Sequence, residues 1–203
     1  MLNLGVIGYG YWGPNIVRNF SGHQDCKVMA VCDNNPAALA RVLGRHPSVR
    51  VTTDVDSVVT APDIDLVAIV TPVSYHYELA KKALENGKHV FVEKPFTATS
   101  AQAEELVELA ERKNLQIMVD HTFLFTGAVR KIKQLVDEGA LGPLYYYDST
   151  RVNLGLFQHD VNVLWDLAPH DLAIMDYLIG QEPELVVATG SAHVNSFENI
   201  AYL

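Results

Sequence analysis

The chain has 203 residues, 49% of them hydrophobic and 19% charged, a balance that supports a buried core and excludes intrinsic disorder. Its formal net charge of −9 disfavours nucleic acid or an anionic membrane as the main partner. Cys26 and Cys32 bracket one apolar run, which suits small core residues in a reducing compartment better than a disulfide framework. No signal-like start is evident, and no apolar run approaches the roughly 18–20 residues of a membrane span, so a cytoplasmic protein is expected.

Residues 2–7 form a short apolar run that leads into Gly8-Tyr9-Gly10-Tyr11-Trp12-Gly13, and a helix-like stretch follows over 12–20. A strand running into G-x-G-x-x-G and then a helix is a dinucleotide-binding pattern. The first glycine permits the tight turn. The second lets a pyrophosphate approach the backbone, and the third lets the helix pack closely on the strand. The helix start then directs free N–H groups at the phosphates. A second apolar run, 27–32, ends at Asp33, 20 residues beyond Gly13, where a ribose-binding carboxylate is expected. Such an acid accepts hydrogen bonds from the ribose hydroxyls of NAD and repels the 2′-phosphate of NADP, so NAD is the expected cofactor. Asp33 also suits a helix N-cap before Asn34-Asn35-Pro36, and it could serve both purposes.

The alternation then continues. A helix is predicted over 36–43, a weakly patterned strand over 49–52, and strands over 66–70, 89–92 and 116–119. Helices are predicted over 75–86, with Gly87 at the C-cap position, and over 100–113, with Ser100 as a cap. Continuous apolar strands separated by helices predict an α/β domain over 1–120, a Rossmann-type doubly wound parallel sheet. From about 121 the texture changes. A helix over 127–138, a turn over 139–143, a long β-like segment over 144–153 and an irregular stretch over 154–163 come first. A helix over 169–179 with Pro169 in its first turn and Gly180 at its end follows, then strands over 184–193 and 199–203. This order predicts an α+β second domain over 121–203. The chain ends inside a strand-like run, so that domain is expected to be incomplete.

Two groups of residues could carry chemistry. Glu93-Lys94-Pro95 follows a predicted strand, and ligands in doubly wound folds bind beyond the carboxyl ends of strands. A lysine there can stabilise developing alkoxide character on a substrate oxygen. Pro95 restricts the backbone of Lys94, and a cis bond could fix its aim. The other group is Asp166 with His170. If the helix extends back to Asp166, the two are four apart and share a face, which suits a general base with an orienting carboxylate. The plainer alternatives are a surface turn for the first group and a helix cap with a satisfied histidine for the second.

These motifs together resemble the glucose–fructose oxidoreductase/inositol dehydrogenase/MocA (Gfo/Idh/MocA) family of NAD(P)-dependent oxidoreductases. The resemblance runs through the glycine motif, Thr71-Pro72 and His76, residues 87–95 ending in Glu93-Lys94-Pro95, and Asp166-x-x-x-His170, and it covers nearly the whole chain. It implies Lys94, Asp166 and His170 as the catalytic set. It implies a cofactor site built from Gly8, Tyr9, Gly10, Tyr11, Trp12, Gly13, Asp33, Thr71, Pro72, His76, Glu93, Lys94 and Pro95. Residues 151–158, leading to Trp165-Asp166, resemble a subgroup associated with nucleotide-sugar oxidation. One departure is Asn162-Val163, where family members often carry glycines. The activity implied is hydride transfer between a sugar, cyclitol or nucleotide-sugar hydroxyl carbon and the nicotinamide. The second domain would be the first part of a substrate and oligomerisation domain, which leaves homo-oligomer formation open.

A non-catalytic dinucleotide-binding module or sensor is the alternative function. A metal-dependent hydrolase is a third reading, on His159-Asp160 and His170-Asp171, but the supporting helices expected around His159 are absent from the pattern, and no metal is expected. His121 could border a substrate pocket or serve as a domain-junction residue. Tyr145-Tyr146-Tyr147 reads as sheet surface, and Arg151 and Asn153 as exposed strand residues able to reach a sugar or phosphate.

Overall fold

Leu2–Ile7 (β1), Cys26–Cys32 (β2), Arg50–Thr52 (β3), Leu66–Ile69 (β4), His89–Val92 (β5) and Ile117–Val119 (β6) form one sheet in the order β3-β2-β1-β4-β5-β6, with every pairing parallel. The computed structural model describes residues 1–152 and 161–203, and the chain divides into two units, Met1–Asp120 and His121–Leu203. Parallel strands need crossovers, and helices supply them: Gly13–Ser21 (α1), Pro36–Arg45 (α2), Asp56–Val59 (α3), His76–Glu85 (α4) and Ser100–Lys113 (α5). The expected doubly wound sheet is therefore present.

Both faces of the sheet are covered, which is why its strands are unbroken apolar runs instead of alternating ones. All four residues of β4 are buried. One face packs Ile69, Val67 and Val92 against Ala80, Leu84 and Leu106 of α4 and α5. The other packs Val6, Val31 and Ala68 against Ile16, Val17 and Val42 of α1 and α2. Gly5 stands within β1 where α3 lies directly on the strand. A Cβ there would come within 2.5 Å of the Val58 side chain.

Helix boundaries in the first unit differ from expectation by at most two residues. The α1 helix starts at Gly13, with Trp12 as N-cap. Asp33 does not cap α2. Asn35 does, accepting from the Ala37 amide at 3.0 Å, with Pro36 in the first turn. Thr99, not Ser100, caps α5 through the Gln102 amide. Gly87 follows α4 at φ +76°, and the Lys88 amide returns to the Ala83 carbonyl, as a glycine-terminated helix requires. The short α3 had no counterpart in the predicted elements.

The second unit contains a 3₁₀ turn over Thr122–Phe125, helix Gly127–Asp137 (α6), helix Val163–Ile179 (α7), and an antiparallel pair, Thr189–Ser191 (β7) with Ile200–Tyr202 (β8). Three expectations are corrected. The helix expected over 169–179 begins at Val163, where Asn162 accepts from the Trp165 amide at 2.9 Å. Pro169 therefore sits inside the helix, where its missing N–H removes one ladder bond, instead of in the first turn. The described part of the segment expected as a strand over 144–153 is not a strand. A strand needs a ladder partner, and among the described residues this segment has none. The strand expected over 184–193 is only Thr189–Ser191. No helix among the described residues is long and apolar enough to cross a membrane.

Candidate functional site

The sheet order reverses direction between β1 and β4, and a crevice at such a switch point is where ligands bind. Ladder bonds continue one residue past the strands and align the site along their carboxyl edge. The Asp33 amide donates to Thr52 O, Gly8 to Cys32 O, Val70 to Ile7 O, Glu93 to Ile69 O and Asp120 to Val92 O, all at 2.8–3.1 Å. Backbone register, rather than side-chain preference, thus brings Asp33, Gly8, Val70, Glu93 and Asp120 into one row, with Thr71 next in the chain after Val70.

The glycine loop has one closed side and one open side. Gly8 has φ +101°, and a Cβ on it would stand 2.5 Å from the Val70 carbonyl oxygen. A Cβ on Gly13 would stand 2.6 Å from the Gly8 carbonyl oxygen. A Cβ on Gly10 meets nothing within 4 Å. The first and third glycines are therefore required by the loop's own backbone, while Gly10 leaves the backbone bare to whatever approaches the start of α1. That is the cradle a diphosphate needs, and these residues fit a dinucleotide.

Asp33 is anchored as well as available. One carboxylate oxygen accepts from the Tyr9 amide at 2.6 Å and the other from the Asn35 amide at 2.8 Å. Each oxygen keeps a second lone pair for a ribose hydroxyl. Arg41 donates to the Tyr9 carbonyl at 3.2 Å and braces the same turn. Tyr9 turns its side chain into the core at 1% exposure, so only its backbone faces the loop. Tyr11 and Trp12 remain outside, stacked with ring centroids 6.3 Å apart.

On the other side of the switch point, His76 is buried and its ring spans two carbonyls. Nδ1 lies 2.8 Å from Pro95 O and Nε2 lies 2.8 Å from Thr71 O. It thereby ties the Thr71-Pro72 turn to the Glu93-Lys94-Pro95 turn, whose Lys94–Pro95 bond is cis. Thr71 Oγ1 is buried without a hydrogen-bond partner among the described residues, a polar atom pointing into unfilled hydrogen-bonding capacity at this edge. Glu93 stands next to Asp120. Burial first, then the Asp120 charge and a hydrogen bond with Asp120, push the Glu93 carboxyl up to about 8 against the opposing pull of Lys94. Two neighbouring carboxyls beside a lysine were not read from the sequence. Yet Asp120 follows an apolar strand as Glu93 does, and the rule that singled out Lys94 reaches it too.

In the second unit, α7 carries both Asp166 and His170, four residues apart and on one face, as expected if the helix reached back. Asp166 lies in the first turn, where the helix dipole favours a carboxylate. The His170 ring packs edge-on against Phe123, centroids 4.7 Å apart at 72°. His121, Leu124, Pro169, Ala173 and Tyr177 line an open cleft of about 500 Å³ along α7. Arg151 is not a free strand residue. Its guanidinium is committed to Asp171, and Tyr145 and Tyr146 are exposed. Asn153, His159 and Asp160, with the rest of 153–160, lie outside the described residues. The structure thus brings the dinucleotide candidates together in the first unit and Asp166 with His170 in the second. Lys94 belongs to the first.

Both units match a known family. Residues 2–121 match a family profile described as an oxidoreductase family with an NAD-binding Rossmann fold, and residues 129–202 match the GFO/IDH/MocA C-terminal domain. The chain is 32% identical over 202 residues to an NAD⁺-dependent scyllo-inositol 2-dehydrogenase of Bacillus subtilis, covering 97% of this chain and 58% of that protein. It is 28% identical to a 2,7-anhydro-N-acetylneuraminate hydratase of Mediterraneibacter gnavus, covering 91% and 51% respectively. Among solved structures, apo scyllo-inositol dehydrogenase from Lactobacillus casei superposes with a TM-score of 0.79 at 25% identity, over 97% of this chain and 60% of that one. The chain therefore spans little more than half the length of these relatives.

Proposed function

The chain belongs to the GFO/IDH/MocA family of NAD-binding oxidoreductases, and from that premise we propose that it moves hydride between a hydroxyl-bearing carbon of a sugar, cyclitol or nucleotide sugar and NAD. The observation that carries the reading is the glycine loop closed by backbone at Gly8 and Gly13 but open at Gly10, set on the same sheet edge as Asp33 and Glu93-Lys94-Pro95. NAD, when bound, supplies the carbon that accepts hydride.

The chain's own residues do the remaining work. The backbone around Gly10 and the start of α1 hold the diphosphate, and Asp33 accepts from a ribose hydroxyl. Lys94 donates to the reacting substrate oxygen and stabilises the negative charge that develops there. His170 takes the hydroxyl proton on its imidazole, and Asp166, one turn earlier, orients it. In the reverse direction the same imidazole returns the proton. Thr71, Pro72, His76, Glu93 and Pro95 fix the turns that flank the nicotinamide end. The second unit carries the substrate groups, and the resemblance of 151–158 favours nucleotide sugars within the class.

The test is direct. Purified chain is mixed with NAD and a panel of inositols, hexoses and nucleotide sugars, and NADH is followed by absorbance. Turnover on at least one member is expected, with Lys94→Ala lowering it by about 10²-fold or more. Full turnover in Lys94→Ala removes the role given to Lys94. NAD binding with no oxidation of any member returns the chain to a dinucleotide-binding module, an alternative to which the relatives lend no support. The hydratase among the relatives favours a second reading, since a hydratase alters its substrate without net oxidation. Substrate loss without NADH accumulation, seen by mass spectrometry, identifies that case.

A further inference from the structure

Asp171 follows His170 on α7 and is tied by three alternate residues of the segment before it. Tyr147 Oη donates to the Asp171 carbonyl at 3.4 Å, and Ser149 Oγ donates to Asp171 Oδ1 at 2.7 Å. Arg151 donates from Nε to Oδ2 at 2.6 Å and from Nη2 to Oδ1 at 3.1 Å. Residues two apart on an extended chain share a face, so one face of this segment is spent on one aspartate. The alternation that suggested a strand is real, but side-chain bonds to a helix replace the ladder.

The arrangement closes on the imidazole. The Arg151 guanidinium carbon lies 4.8 Å from the centroid of the Phe123 ring, and that ring is 4.7 Å from His170. Asp171, Arg151, Phe123 and His170 thus form a ring of contacts completed by the peptide bond between 170 and 171. The side chains of the ion pair are only 27% and 20% exposed, and a two-point Arg–carboxylate contact is directional as well as attractive. Burial acts against the charged form of Asp171, but the Arg151 and Ser149 hydrogen bonds outweigh it and hold this carboxyl below its ordinary range.

We propose that Arg151 and Asp171 are positioning residues for His170: with Phe123 they fix the imidazole, and as a pair they keep the charge beside it balanced. This rests on His170 as the proton acceptor of the reading above. A lone carboxylate at 171 would favour the imidazolium, which cannot accept a proton, and a lone guanidinium at 151 would disfavour the imidazolium that the reaction forms. Other charged or titratable groups on the elements packed here keep their places in the test. They are Asp166, Asp176 and Tyr177 on α7, His121 before the 3₁₀ turn, Arg130, Lys131, Lys133 and Asp137 on α6, and Tyr202 on β8.

The experiment is an NMR titration of the His170 ring in the 203-residue chain, with His170→Gln assigning the resonance. Arg151→Met should raise the His170 midpoint and Asp171→Asn should lower it, each by about half a pH unit or more, and Arg151→Lys should stay close to the parent. If Arg151→Met loses the circular-dichroism signature of the fold, Arg151→Gln supplies the charge-lost arm. Shifts in the same direction, or none in either, overturn the proposal, because a pair whose charges do not reach the imidazole has no reason to move its midpoint oppositely. The titration needs no turnover. Opposite shifts in a chain that oxidises no sugar uphold the charge balance and refute the proposed reaction. Turnover with unmoved midpoints does the reverse.

Discussion

Gly10→Ala should separate ligand approach from folding, and the loop geometry sets the size of both effects. An alanine Cβ at residue 10 meets no atom within 4 Å, and the backbone there is not left-handed. The native state therefore carries no new strain, while the unfolded chain loses freedom, so stability should hold or rise by about 0.4–1 kcal/mol. The methyl group occupies the open side of the cradle. Forcing a phosphate away from a backbone N–H costs a charge-assisted hydrogen bond, about 1.5–3 kcal/mol, which is a rise in the Kd for NAD of about 10–100-fold. Gly13→Ala is the contrast. Its Cβ would meet the Gly8 carbonyl oxygen at 2.6 Å, and backbone cannot rotate aside as a side chain can. Overpacking of this kind costs about 1–3 kcal/mol of stability, with binding lost as a consequence. Urea denaturation gives the first quantity and calorimetric titration with NAD the second, at one pH and salt concentration. Wild-type NAD affinity in Gly10→Ala would refute the diphosphate reading of the loop, and equal destabilisation by the two substitutions would refute the open-side geometry.

Two further substitutions probe the first unit. Lys88 is 8% exposed, and its ammonium donates to the carbonyls of Ala61 at 2.6 Å and Ile64 at 2.7 Å; Lys88→Met strands both acceptors and should cost about 2–4 kcal/mol in urea denaturation, whereas a loss below about 0.5 kcal/mol would mean that water satisfies them. Glu93 is raised by folding from 4.5 to about 8, so the folded chain binds the extra proton, and the stability that this carboxyl contributes is full below about pH 4.5 and lost as pH rises through 8. Glu93→Gln should therefore flatten the stability profile between about pH 5 and 8 by roughly 1–2 kcal/mol, partial exposure screening the larger value that the shift alone implies, and parallel wild-type and variant profiles would remove this carboxyl from the pH response.

The parallel sheet was legible because burial on both faces leaves a simple trace, a run of β-branched and apolar residues bounded by helix patterns. Even the poorly patterned β3 emerged where expected, since parallel pairing with β2 decides its fate. Caps were legible only to within a residue. Thr99 and Ser100 are both good caps, and which one serves depends on where the chain leaves its extended conformation at 99. Residues 144–152 show where periodicity misleads. Alternation reports that one face of an extended segment is occupied, not that another strand occupies it. Pro169 misled for a different reason: proline is tolerated in a first turn on grounds of local sterics, yet Asn162 offers a side-chain cap seven residues earlier, and that start carries Asp166 and His170 onto one helix.

The two units hold their functional groups by different physical means. In the first, Asp33, Gly8, Val70 and Glu93 are placed by sheet hydrogen bonds beyond strands whose side chains are almost wholly buried, so this edge inherits the rigidity of the core. The specificity proposed for it rests on what is missing at three glycines and on one anchored carboxylate. In the second, His170 lies on a helix whose only buried residue is Leu178, and its surroundings are defined by polar contacts from Ser149 and Arg151 and by one aromatic ring. Cofactor binding should accordingly survive most substitutions outside the loop. The chemistry assigned to His170 hangs instead on a few directional bonds, each of which a single side-chain change can break.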